Sequence, residues 1–459
     1  MKLIDTIKSK AFRTIHVPKD LSTITTFSPA DEVDPADAAM TRQGVDEIWT
    51  GVENLYRTGI YPGIAFCLRR HGRVVINRGI GYSHGNGPGD MPDMTDMPDS
   101  QDAEKILMTP DTPVCQYSAS KAVTAMLIHL LAEHGEIDLS DPIIKYIPEF
   151  GLHGKKNITI YQIISHHGGI PTPPSGVDPE ILFDPDRFVS LICNLKPTSK
   201  DGRSQAYHAI TGGVILGEIV KRVTGRDARE FLAETIQKPL GFKYFNYGMP
   251  EEDIKKVAVN YDTGLPLVFP LSTIAKRALS ASWGDVVRIS NEPRFMEVII
   301  PAANIVATAD EMSQFFQMML NGGELNGKRI FEPATIQRAV APADKMWFDG
   351  TMVVPMRYSA GMMLGASPLG LWGPFSEAAY GHVGFINIFC WADPARDISV
   401  SLQTTGKSLF GPHLLVLSKL LFSISRQCKI SEEADDAFGS YLSFLGPFQK
   451  MLRKLLLSW

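Results

Sequence analysis

Strand patterns stand at both ends of this chain, and helical patterns fill its middle. Residues 63–82 place β-branched and apolar residues on both sides of His71-Gly72, which predicts a hairpin of two strands. Residues 384–405 predict two more strands around a turn at 393–397. Residues from about 140 to 300 consist of apolar helical stripes closed by glycine. The sequence therefore predicts an α/β (α+β) fold, in which an antiparallel sheet flanked by helices is built from both chain ends around a mostly helical insertion.

Further helical stripes and a change of composition divide the chain into three parts. Helices are predicted over 45–58, from Ser118 to Gly135, and over 413–427. We expect an N-terminal extension at 1–44, one main domain at 45–425 and a C-terminal tail at 426–459.

Composition and charge exclude several classes of protein. The 459 residues are 44% hydrophobic and carry a net charge of -5, with a pI near 6.1. A nucleic-acid-binding protein usually carries a basic patch, so we expect no nucleic-acid partner. No run of 18 apolar residues occurs that could span a membrane.

The cysteines and the first residues bear on the cellular compartment. Five cysteines are scattered and mostly embedded in apolar runs, as expected of core residues in a reducing compartment. The first ten residues include Asp5 and three lysines where a secretory leader needs an uninterrupted apolar stretch. We therefore expect a cytoplasmic protein.

Ser118 and Lys121 form a serine-x-x-lysine motif at the start of a predicted helix. Three-residue spacing puts both side chains on one helical face, where an uncharged lysine amine can take the serine proton. The lysine must be desolvated to lose its charge near neutral pH. The motif alone is weak, because a serine that caps a helix beside a solvent-exposed lysine gives the same pattern.

Several further segments occur in a fixed order around this motif. They include SASKAVTAMLIHLLAEHGEIDLSDPIIKYIPEF, ISHHGGIPTP, YHAITGGVILGEIVKRVTG and YGHVGFINIFCWADPARDISV. In this order the chain resembles the serine β-lactamase and penicillin-binding-protein superfamily, in particular its class C-like and esterase-like (family VIII carboxylesterase) members. The resemblance covers roughly residues 45 to 425, and an ordered set of motifs is far more specific than one motif.

The resemblance implies roles for three residues. Ser118 would be the nucleophile, Lys121 its general base, and Tyr207 the phenol that protonates the leaving group and later activates water. The alternative for Tyr207 is a core tyrosine whose hydroxyl has a partner.

The third motif of the superfamily falls at His382-Val383-Gly384. The resemblance implies an edge strand here, whose Phe385 N–H joins the N–H of Ser118 in an oxyanion hole. Gly384 would let an acyl group approach the strand closely.

Two positions depart from the superfamily pattern and bear on the substrate. Ala209 stands where the family has an asparagine, and alanine cannot hold the side-chain amide of a penicillin or peptide. His382 stands in place of a lysine, and histidine is a weaker anchor for a substrate carboxylate at pH 7. Both changes favour neutral esters over β-lactams and peptides.

Two other sets of reactive residues give weak support for a metal site and for a different nucleophile. His153, His166 and His167 lack the spacing of a zinc motif, so we expect no metal and no cofactor. Cys115 is a rival nucleophile by position, but no base accompanies it, and a buried structural thiol is the better interpretation.

The sequence thus predicts a serine hydrolase that acts on small ester or amide substrates. We expect a carboxylesterase for neutral carboxylic esters with small to medium acyl groups. A β-lactamase, D-amino-acid peptidase or acyltransferase on the same fold is an alternative, as is a catalytically silent ligand-binding or scaffolding member.

The tail ends in an amphipathic pattern. In residues 438–459, leucines, phenylalanines and Trp459 alternate with Lys450, Arg453 and Lys454. Such a helix can cap the protein's own core, contact a second subunit in a dimer, or lie on an anionic membrane surface.

Overall fold

The computed structural model describes residues 12–430, apart from residues 89, 91–103, 175, 200–201, 203 and 280. The predicted amphipathic tail and the beginning of the N-terminal extension lie outside the described residues. Within the described chain, the longer helices are α1 (Arg42–Arg57), α2 (Ser120–Glu133), α3 (Pro185–Cys193), α4 (Thr211–Thr224), α5 (Leu271–Leu279), α6 (Trp283–Ser290), α7 (Ala309–Leu320), α8 (Pro333–Val340) and α9 (His413–Gln427).

One large antiparallel sheet organises the molecule and confirms the predicted fold class. Its strands are β1 (Thr25–Phe27), β2 (Gly63–Arg70), β3 (Arg73–His84), β4 (Ile106–Leu107), β5 (Met363–Leu364), β6 (Tyr380–Gly384), β7 (Ile388–Asp393) and β8 (Ile398–Thr404). Their order in the sheet is β1-β3-β2-β8-β7-β6-β5, with β4 paired to β3, so strands from both chain ends meet where β2 pairs with β8.

Both predicted hairpins are present. His71 and Gly72, at φ +50° and +73°, form the two-residue turn between β2 and β3, because this turn type needs two positive φ angles. Asp393 ends β7, and its carboxylate accepts a hydrogen bond of 2.7 Å from Arg396 in the turn before β8. Both side chains of this ion pair are almost completely buried.

Helices cover both faces of the sheet, and the alternation of side chains along each strand explains how. On β2, Ala65 and Cys67 belong to the core on one face, while Ile64 and Phe66 belong to the core on the other. The first core includes α2 and α7, and the second includes α1 and α9. Because both faces are covered, every residue of β7 and β8 is buried, including the two serines of β8.

The insertion is helical, as predicted, with a few short strands. Asn246–Tyr247 pairs with Ile305–Ala307, which also pairs with Val114–Cys115. These two- and three-residue strands are too short to show a period in sequence. They matter because Val114–Cys115 leads directly into the serine motif. No helix in the described part of the chain is both long and apolar enough to cross a bilayer.

Candidate active site

Ser118 lies in a 3₁₀ turn, Tyr117–Ala119, that leads into α2. The strand Ile305–Ala307 fixes this turn, because Gln116 N donates to Ile305 O (2.7 Å) and Ile305 N donates to Ser120 Oγ (3.0 Å). Tyr117 has a φ of +45°, a strained value for a bulky residue. Ser118 is half-buried and lines an open cavity.

The Lys121 amine reaches the serine hydroxyl. Its Nζ donates to Ser118 Oγ (3.1 Å) and to Ala302 O (2.9 Å). Burial lowers the pKa of Lys121 from 10.5 to about 7, because the charged ammonium loses its hydration. A substantial fraction of Lys121 is therefore uncharged at neutral pH, as a general base requires.

Ala302 is held in place by a close contact with α4. A Cβ added at Gly213 of α4 would lie 2.6 Å from Ala302 N. Glycine at this position therefore allows the backbone that accepts the Lys121 hydrogen bond to pack against the helix.

Tyr207 lies beside both residues. The Lys121 amine is 5.0 Å from the centre of its ring. Burial raises the pKa of the phenol, and an interaction with Ser118 opposes part of that rise. Within the described residues, the Tyr207 hydroxyl has no partner with normal hydrogen-bond geometry. A buried hydroxyl without such a partner is costly, so this hydroxyl is available for a hydrogen bond with a bound molecule.

A cluster of rings orients Tyr207. Its ring centre lies 4.7 Å from His166, 6.0 Å from His382 and 6.4 Å from Tyr358. The buried Asp349 carboxylate accepts hydrogen bonds from Tyr207 N (3.2 Å) and from Tyr358 Oη (3.2 Å). Asp349 and Tyr358 were missed by the sequence analysis, because Asp349-Gly350 reads as an ordinary turn and no motif includes Tyr358.

His382, on β6, is uncharged, and one of its ring nitrogens is a donor while the other is an acceptor. Its Nδ1 lies 2.9 Å from Val383 O, and because a carbonyl can only accept, Nδ1 carries the proton. The other nitrogen, Nε2, is a buried acceptor with no partner among the described residues. Burial, and then the charge of Lys121, lower the pKa of His382 to about 3.

β6 differs in one respect from the predicted edge strand. β5 pairs with Tyr380 and Gly381, so β6 lies one strand inside the edge. Gly384 is needed because an added Cβ would lie 2.2 Å from Gln116 O. The close approach at Gly384 is thus to the backbone just before Ser118.

Phe385 follows β6 and stacks between two other rings. Its ring centre lies 5.0 Å from Tyr117 and 4.2 Å from Trp283, with interplanar angles of 21° and 19°. Phe385 and Ile386 have φ of +43° and +65°. The stack therefore joins the strained segment before Ser118 to the strained segment after β6. Trp283 was not identified from sequence, because it lies in a helix of the insertion and carries no motif.

The remaining candidate residues lie as follows. Ala209 lines the same cavity as Ser118, Tyr207 and Phe385. Cys115 is completely buried, and burial raises the pKa of its thiol to about 11, which leaves it protonated and unreactive. His166 contacts Tyr207, whereas the His167 ring lies 3.3 Å from Ser165 Oγ.

A serine hydroxyl and a buried lysine amine at the start of a helix, packed on an antiparallel sheet, define a serine hydrolase of the β-lactamase/transpeptidase-like fold. The family model for beta-lactamase matches residues 51–414, and the chain belongs to the β-lactamase family.

Relatives in this family carry different activities. The chain is 28% identical to an esterase/beta-lactamase, LipL, of Mycobacterium tuberculosis, over 64% of this chain and 69% of the relative. It is 26% identical to a penicillin-binding-protein homologue from Caulobacter crescentus, with a TM-score of 0.69 over 84% of this chain and 98% of that structure. A family VIII carboxylesterase has the same fold, with a TM-score of 0.69, 23% identity and coverage of 85% and 99%.

Proposed function

We propose that this protein is a carboxylesterase that hydrolyses neutral carboxylic esters through an acyl intermediate on Ser118. The family establishes a hydrolase, and esterases, amidases and a penicillin-binding-protein homologue are among its relatives. The residues around Ser118 favour an ester over a lactam or a peptide as the substrate.

The main support for an ester substrate is the uncharged state of His382. A lysine at this position would offer a cation to the carboxylate of a β-lactam or peptide. His382 instead presents an uncharged acceptor nitrogen, Nε2, which repels a carboxylate oxygen and can accept a hydrogen bond from a hydroxyl. Ala209 adds no amide to hold an acyl side chain. A neutral ester needs neither partner.

The proposed reaction proceeds in two halves. Uncharged Lys121 takes the proton of Ser118, whose oxygen attacks the ester carbonyl, and the N–H groups of Ser118 and Phe385 stabilise the oxyanion. Tyr207, protonated because burial raises its pKa, gives its proton to the departing alkoxide. The Lys121 ammonium then returns a proton to Tyr207. In the second half, a water molecule attacks the acyl carbonyl and gives a proton to Tyr207, which passes its own proton to Lys121. The Lys121 ammonium then protonates the departing Ser118 oxygen, and the carboxylic acid is released.

Substrate comparison and intact mass test the proposal. We expect the protein to hydrolyse 4-nitrophenyl acetate faster than a chromogenic cephalosporin. Mass spectrometry should detect an acetyl adduct that is absent in Ser118→Ala, and that variant should lose turnover. Ser418→Ala is a matched control for the readout of the adduct, because this serine is exposed on α9 and lies outside the cavity lining. Faster turnover of the cephalosporin would favour a β-lactamase, and an active Ser118→Ala would exclude the mechanism.

We also propose that the protein is located in the cytoplasm. All five cysteines are buried and unpaired in the described structure, which is compatible with a reducing environment such as the cytoplasm. Fractionation of cells that express the full chain would place it directly.

A further inference from the structure

An apolar cavity opens beside Ser118. Its empty space, counted together with the part that is open to solvent, is about 1020 Å³. Ser118, Tyr207 and Phe385 stand at one side of it, and the other walls come from the helical insertion.

The walls run from a half-exposed mouth to a buried floor. Val177, Leu279 and Met352 are half-buried and stand at the mouth. Phe188, Phe295 and Ile300 are at most 5% exposed and form the floor. Asp178, also in the wall, is exposed, and its carboxylate already accepts a hydrogen bond from Glu180 N (3.0 Å). The interior therefore offers contacts to methylene or ring carbons and little to a polar group.

The position of Ser118 indicates which end of the ester enters the cavity. Ser118 and Ala209 both lie in the cavity wall, so an acyl group bonded to the Ser118 oxygen stands beside this space. The space beside Ala209 is therefore on the acyl side of the scissile bond. An apolar cavity in this place selects for an apolar acyl group.

We propose that the cavity binds the acyl chain, and that the substrates are esters of medium- to long-chain aliphatic or aryl-alkyl carboxylic acids. This inference rests on the proposed esterase function and extends it, since the sequence alone predicted small to medium acyl groups. Burying one methylene is worth about fourfold in binding, so selectivity should grow with chain length until the floor is reached.

Two ester series test which end of the substrate the cavity binds. In 4-nitrophenyl esters from acetate to dodecanoate, we expect kcat/KM to rise at least about tenfold between acetate and hexanoate. In acetate esters of alcohols with the same chain lengths, we expect a change of less than about threefold. A rise in the second series alone would place the alcohol in the cavity and overturn the assignment.

Ala281→Phe tests whether the cavity is responsible. Ala281 lines the cavity and is half-buried, so a phenyl ring there should shorten the preferred acyl chain and lower the decanoate-to-acetate ratio of kcat/KM at least tenfold. Ala334→Phe is the matched control, because this alanine is exposed on α8, outside the cavity lining, and should leave the ratio unchanged. If Ala281→Phe does not fold, Val286→Phe blocks the same space.

The outcomes separate this inference from the proposed function. Hydrolysis of acetate that depends on Ser118, with no gain for longer acyl chains, would overturn the inference and leave the esterase proposal intact. A chain-length gain that survives both blocking variants would also overturn it. Absence of any acyl adduct on Ser118 across the ester series would overturn both.

Discussion

At the residue scale, the proposed reaction depends on the protonation state of Lys121. Burial lowers its pKa to about 7, and only the uncharged amine can accept the Ser118 proton. We therefore expect kcat/KM for 4-nitrophenyl acetate to fall about tenfold per pH unit below 7 and to level off above it. A pH profile between 5 and 9 measures this.

The matched variant is Lys121→Ala, which removes the titrating group. Its residual activity should be lower by orders of magnitude and should lack the inflection near pH 7. A wild-type profile without an inflection between pH 6 and 8 would contradict the assignment of Lys121 as the base.

Tyr207 should matter most for leaving groups that need a proton. Tyr207→Phe removes a hydroxyl that has no hydrogen-bond partner in the described structure, so folding should be preserved. We expect kcat/KM, which reports acylation, to fall by about 10²–10⁴-fold for an ethyl ester and much less for the matching 4-nitrophenyl ester, because nitrophenolate leaves without protonation.

Tyr358→Phe provides the comparison. Its hydroxyl donates to Asp349, which also accepts from Tyr207 N, so its loss acts through the position of Tyr207 and should lower kcat/KM for the ethyl ester by a smaller factor than Tyr207→Phe does. Equal losses for both esters in Tyr207→Phe would show that the phenol does not protonate the leaving group.

At the element scale, the stack of Tyr117, Phe385 and Trp283 joins two segments that carry oxyanion-hole N–H groups in the proposed mechanism. Each positive φ angle in these segments is unfavourable by about 1–3 kcal/mol. Each stacked ring pair stabilises the folded arrangement by about 0.5–1.5 kcal/mol. The stack thus stabilises a backbone arrangement that the local sequence disfavours.

Trp283→Ala should therefore lower kcat by about tenfold or more, with little change in KM, because an oxyanion exists only in the transition state. Trp283→Phe keeps an aromatic face against Phe385 and should retain most of kcat. Steady-state kinetics of both variants, with thermal unfolding as a check on folding, measure this. A loss confined to KM would instead place Trp283 in substrate binding.

At the scale of the whole molecule, the sheet joins the two ends of the chain. β2 and β8 pair along their length, from Ile64 with Thr404 to Arg70 with Ile398. A break in the insertion should therefore leave both fragments associated. Val268 and Phe269 are 67% and 82% exposed, so a specific protease site inserted between them should be accessible.

After cleavage we expect two bands under denaturing conditions and one peak, at the size of the intact protein, in gel filtration. The uncut protein with the same insertion is the control. Separation of the fragments without denaturant would show that the sheet does not hold the two halves together.

Much of the fold was predictable because its signals are local. The turn at His71-Gly72, the apolar stripe of α9 and the segregation of strands from helices follow from residues that are neighbours in sequence. The pairing of Ser118 with Lys121 was also predictable, since one helical turn brings them together.

The sequence by itself determined which elements form and placed the serine and the lysine on one helical face. Tertiary structure decided the rest, including the low pKa of Lys121, the uncharged state of His382, the rings around Tyr207 and the apolar cavity. These properties depend on desolvation and on contacts between segments far apart in the chain. The periodicity of the sequence does not predict these properties, because burial is a property of the packed molecule.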